Sequence, residues 1–101
     1  MERLALRSRL KPGAEQLYDR EHAAIPAELE AAMREHGVRS WRIWREGLDL
    51  FHLVEVEDYA AFQAAMKDHP ADRAWQEKMN RLLDGDFDKD SGGLRLVWEM
   101  T

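Results

Sequence analysis

The apolar residues of this chain keep two different spacings and switch between them twice, and no other feature narrows the fold as far. In Arg3–Leu10 (RLALRSRL), Leu4, Leu6 and Leu10 alternate with Arg3, Arg7 and Arg9. A period of two predicts a strand with one buried face. Lys11-Pro12-Gly13 turns the chain, and from Ala14 the period lengthens. Ala14, Leu17, Tyr18 and Ile25 share one arc of a helical wheel, with His22 at its edge near Tyr18. Pro26 interrupts or restarts this helix, because proline suits a first helical turn. The stripe Ile25, Leu29, Met33 continues to His36, and Gly37 is a suitable stop. Val38–Arg45 (VRSWRIWR) returns to β-branched and aromatic residues, and a turn at Glu46-Gly47 leads into Leu48–Glu57 (LDLFHLVEVE), the second arm of a hairpin.

The second half repeats the plan without repeating the residues. Asp58 is an N-cap for a helix carrying Tyr59, Phe62 and Met66. Asp68-His69-Pro70 breaks that helix, and Ala71–Leu83 resumes it with Trp75, Met79, Leu82 and Leu83 on one side. Gly85 ends it, Asp86–Gly93 is a polar loop, and Leu94–Met100 alternates Leu94, Leu96, Trp98 and Met100 as a fourth strand. The order β-α-α-β-β-α-α-β predicts an α+β domain over residues 1–101. It is a ferredoxin-like split βαβ, with broken helices packed on one face of a four-stranded antiparallel sheet. In the third strand Leu48, Leu50, Val54 and Val56 fill one face, yet Phe51 and Leu53 load the other. One helical layer covers one face only, so a homodimer pairing sheet against sheet, of the dimeric α/β-barrel type, is the expected second cover. Exposed single aromatics are the plainer alternative.

Composition removes whole classes of function. Lys+Arg 15 against Asp+Glu 20 gives a net charge of −5, which disfavours nonspecific binding to nucleic acid or an anionic membrane. There is no cysteine, so disulfides, thiolate nucleophiles and Cys-based metal sites are out. No apolar run approaches the ~20 residues of a membrane span and no signal-peptide core opens the chain, so a cytoplasmic protein is expected. Motifs are equally sparse: no phosphate-binding glycine loop, no HExxH and no GxSxG. Asp86, Asp88 and Asp90 alternate as in a calcium loop, but Ser91 and Val97 stand where its glycine and glutamate belong. No metal site and no cofactor are expected.

What remains is a polar and aromatic set. Tyr18 and His22, four apart, project from one helix face; imidazole exchanges protons near neutral pH and a phenol can hold a hydroxylated ligand. Boundary residues packing on a sheet would look the same. Of four tryptophans, Trp41 and Trp44 differ in strand parity, so only one can face the helices. Trp98 reads as core packing. His36 reads as a helix end and His69 as loop chemistry. His52 shares the parity of Leu50 and Val54 and reads as a satisfied buried or interface histidine.

Taken together, Tyr18-Asp19-Arg20-Glu21-His22, Ile25, Glu28-Leu29, His36-Gly37, Trp41-Arg42-Ile43-Trp44, Ala74-Trp75, Met79 and the terminal Leu96-Val97-Trp98-Glu99-Met100 resemble the L-rhamnose mutarotase family. The likeness runs over essentially the whole chain. It implies small dimeric ferredoxin-like proteins that interconvert the α and β anomers of L-rhamnose or a related 6-deoxy aldose without a cofactor. It further implies that His22 is the general acid and that Tyr18, Trp41, Trp75 and the neighbouring Gln76 line the sugar pocket. The sequence departs from the family pattern at Trp41, where tyrosine is usual, and at Gln76, where a tryptophan pair is broken. Ile25-Pro26-Ala27 has lost an aromatic, and the loop Asp86–Gly92 is degraded. Two other classes fit the same scaffold: a cofactor-free oxygenase or decarboxylase of the dimeric α+β barrel class, and a non-catalytic ligand-binding relative.

Overall fold

The computed structural model describes residues 1–85 and 92–101. Strand β1 (Glu2–Arg9) is followed by helices α1 (Glu15–His22) and α2 (Ala27–Glu35), strands β2 (Val38–Glu46) and β3 (Asp49–Val56), and helices α3 (Tyr59–Met66) and α4 (Pro70–Asn80). The sheet order is β1-β3-β2, antiparallel throughout. This is the split βαβ plan with three strands in place.

The local reasons match the residues. Pro26, at φ −53° and ψ 132°, caps α2 instead of lying inside a helix. Asp58 accepts a hydrogen bond from the Ala61 amide at 3.0 Å, starting α3. His69 accepts from the Ala71 amide through Nδ1, with Pro70 opening α4. Gly37 holds φ +101° at the end of α2, a left-handed conformation that costs other residues energy.

Helices α1–α4 pack on the face of the sheet where the buried parity of β3 is Leu50, His52, Val54 and Val56. Two core clusters result. One joins Leu6, Leu29, Val54, Val56, Phe62 and Met66; the other joins Leu10, Tyr18, Leu50, Met79 and Leu83. Each buried Leu or Val contributes ~1.5–3 kcal/mol of transfer energy. Trp75 packs against both clusters. Leu17, expected inside, is 42% exposed: Tyr18 takes the inward position of α1, and the eight-residue helix is too short for a wide apolar stripe.

Among the described residues the expected fourth strand is absent. Residues 94–100 have no strand pairing, and Leu96, Val97, Trp98 and Met100 are 71–90% exposed. Alternation marks a face that needs a cover, and here residues of both parities lack one. The segment meets the sheet where the Leu94 amide donates to the Ala5 carbonyl at 2.6 Å. Gly93 passes so close that a Cβ would lie 2.7 Å from that oxygen. Trp98, expected in the core, is therefore outside it. The aspartate alternation at Asp86, Asp88 and Asp90 lies outside the described residues. Among the described residues, no helix is long and apolar enough to cross a membrane.

Candidate functional site

A cavity of about 290 Å³ lies between the helices and the inner face of the sheet, close to the lower end of the ~300–1,000 Å³ usual for small-molecule sites. Tyr18, His22, Trp41, Trp75 and Gln76 all line it. The fold thus brings together five side chains spread over 59 positions (18 to 76).

His22 ends α1. Its Nδ1 lies 3.0 Å from the Tyr18 carbonyl oxygen. A carbonyl only accepts, so Nδ1 carries the hydrogen, and in the neutral ring Nε2 keeps its lone pair. The imidazole stacks on the Tyr18 ring at 4.0 Å between centroids and 30° between planes. Trp75 meets it edge-on at 5.1 Å. Burial pushes the His22 pKa below its ordinary value, against the Tyr18 carbonyl and the Asp19 and Glu21 carboxylates, which pull it up. Tyr18 is 4% exposed, and the pKa of its phenol is raised by burial and then by Asp19. The phenol therefore stays a neutral hydroxyl at any working pH.

The helix that carries this pair is tied to the sheet from outside. Arg45 of β2 forks onto Asp19 of α1, its Nε and Nη2 at 2.9 and 2.8 Å from the two carboxylate oxygens. That hydrogen bonding holds the Asp19 carboxyl below its usual range. Glu21 is paired with Lys78 of α4. The two pairs brace α1, which carries Tyr18 and His22, against β2 and α4.

Trp41 and Trp44 divide as their parity requires. Trp41 lies inward, packed between His52 and Phe62 at centroid distances of 6.2 and 6.3 Å. Trp44 is 53% exposed on the outer face, in register with Phe51. Sequence reasoning did not place Ser8, Phe62 or Asp72 at the cavity, which they also line. The register partner of β1 residues offered the signal for Ser8: it shares the parity of Leu6 and Leu10. Asp72 reads as an ordinary acidic residue of a first helical turn, and only its burial singles it out. His52 is buried, as its parity suggested, and its ring nitrogens have polar partners. Among the described residues no three metal-ligating side chains gather at one point.

A family model described as L-rhamnose mutarotase matches residues 3–100. The L-rhamnose mutarotase of Cronobacter sakazakii is 33% identical over 78 residues, covering 75% of each chain. That of Opitutus terrae is 34% identical over 92 residues, covering 87% of this chain and 88% of its own. Among solved structures, an L-rhamnose mutarotase from Formosa agariphila superposes with a TM-score of 0.77 over 100% of both chains at 23% identity. The tetracenomycin F2 cyclase of Streptomyces glaucescens, a type-II polyketide cyclase, reaches 0.63 at 20% identity, covering 100% of this chain and 98% of that one. At those identities the two structures speak for the shared fold alone.

Proposed function

The chain belongs to the L-rhamnose mutarotase family, and on that premise we propose that it interconverts the α and β anomers of L-rhamnose or a related 6-deoxy aldose, with His22 as the group that moves the proton. The observation that carries this reading is the tautomer of His22. Its Nδ1–H is committed to the Tyr18 carbonyl, which leaves the lone pair on Nε2 of a ring that stacks on Tyr18 and meets Trp75 edge-on.

Anomer exchange opens a hemiacetal. The O1–H bond and the C1–O5 bond break, O5 gains a proton, and an aldehyde forms; rotation about C1–C2 and reversal of the steps close the ring on the other face. O1 and O5 share one carbon, so a single imidazole nitrogen can take the proton from O1 and return it to O5. His22 starts as the base and finishes as the acid, the role expected of it from the family resemblance. Its depressed pKa keeps the starting form populated at neutral pH. One such positioned group contributes typically ~10²–10⁴-fold. Tyr18, Trp41, Trp75 and Gln76 hold the sugar: indole faces pack on C–H-rich sugar faces, while the phenol and the amide hydrogen-bond its hydroxyls.

The functional unit in this proposal is a homodimer. Trp44 and Phe51, in register on the outer face of the sheet, are 53% and 37% exposed, and the terminal Leu96, Val97, Trp98 and Met100 are open as well. A second copy covers these surfaces.

Saturation-transfer NMR on free aldoses tests the activity. The protein should accelerate anomer exchange of L-rhamnose or another 6-deoxy aldose; exchange at the buffer rate for every sugar would contradict the proposal.

A further inference from the structure

Among the described residues, the mechanism leaves two buried polar groups unused, His52 and Asp72, and His52 carries the inference. His52 of β3 is 7% exposed and lines the cavity, and both of its ring nitrogens are engaged across the sheet. The Trp41 indole nitrogen of β2 lies 3.2 Å from Nδ1, and the Ser8 hydroxyl of β1 lies 3.1 Å from Nε2. The register explains the reach. His52 stands opposite Leu6 and Ile43, so Ser8 and Trp41 are its diagonal neighbours on the same face, two residues along each flanking strand.

The direction of every hydrogen bond in this chain follows from one fact. An indole N–H can only donate, so Nδ1 of His52 accepts. A neutral imidazole then carries its hydrogen on Nε2 and donates it to Ser8 Oγ. The cation is excluded by the same geometry, because Nδ1–H would point at the indole N–H. Burial pushes the His52 pKa down to about 4, with His22 nearby adding to the shift. Ser8 Oγ therefore receives a hydrogen from His52 and still has its own to give. Among the described residues the hydroxyl has no other partner, and Ser8 lines the cavity.

We infer that Ser8 is a ligand-binding residue whose hydroxyl donates to an oxygen of the bound sugar, with His52 as the positioning residue that fixes this direction and holds the Trp41 indole against the cavity. The ligand class rests on the mutarotase reading; the direction of the chain does not.

Two measurements test it. Nitrogen-15 NMR at pH 7 should show His52 neutral, with hydrogen on Nε2 and none on Nδ1; the opposite tautomer or the cation would overturn the inference. In L-rhamnose anomer exchange, Ser8→Ala should raise KM about three- to tenfold, the scale of one neutral hydrogen bond, with kcat little changed, and Ser8→Thr should restore KM. A Ser8→Ala variant with wild-type KM, in a protein that does exchange anomers, would overturn the Ser8 assignment and leave the mutarotase reading standing. Absence of exchange by the wild type would overturn that reading and the sugar assignment together.

Discussion

His22 is bonded to the residue it stacks on: its Nδ1–H reaches the Tyr18 carbonyl at 3.0 Å while its ring lies over the Tyr18 ring at 4.0 Å. Two contacts one helical turn apart fix both the tautomer and the tilt of the imidazole, and neither uses the phenol oxygen. Tyr18→Phe should therefore leave His22 in place. It should raise KM for the sugar about three- to tenfold, as expected for one lost hydrogen bond, with kcat little changed. A fall in kcat with KM unchanged would assign the phenol to chemistry instead.

The two cavity histidines give the protein an acid-side pH dependence. A folded pKa below the unfolded one means that the unfolded chain binds more protons, so stability rises with pH. For His52 that stability is fully present above about 6.5, its ordinary value, and is lost as pH falls toward about 4. At ~1.4 kcal/mol per unit the whole effect amounts to roughly 3 kcal/mol. Denaturant titrations at pH 7 and 4.5 should show a clear loss in the wild type and a smaller one in His52→Gln. Equal losses would show that His52 is not the source. Activity should follow His22 in the same sense: kcat/KM holds at pH values below 6.5 and falls only as His22 protonates.

The cavity lining was legible partly from local signals and, for Trp75 and Gln76, only through the family resemblance. Tyr18 and His22 sit four apart on one helix, Pro26 and Pro70 mark the breaks, and the parity of β2 separates Trp41 from Trp44. The Ser8–His52–Trp41 chain was not legible, since its members lie 44 and 11 residues apart and only the register of three strands brings them together. Leu94–Met100 failed for a different reason. Its alternation records that a face must be covered, but not whether this chain or another supplies the cover.

That last point makes the oligomer testable. The protein should elute at twice its monomer mass, and Phe51→Glu should give monomer or aggregate, because a charge buried without a partner is costly. A monodisperse wild-type monomer at micromolar concentration would contradict the dimer.

The measurement closest to the central claim is the anomer exchange rate of L-rhamnose with His22→Asn, compared with wild type at equal folded concentration. The amide can keep the hydrogen bond to the Tyr18 carbonyl but cannot carry a proton between O1 and O5. The exchange rate should fall by about 10²-fold or more, with sugar binding and thermal stability largely retained. Exchange at the wild-type rate, accompanied by a loss of thermal stability, would show that His22 packs the helix against the sheet and does not move the proton.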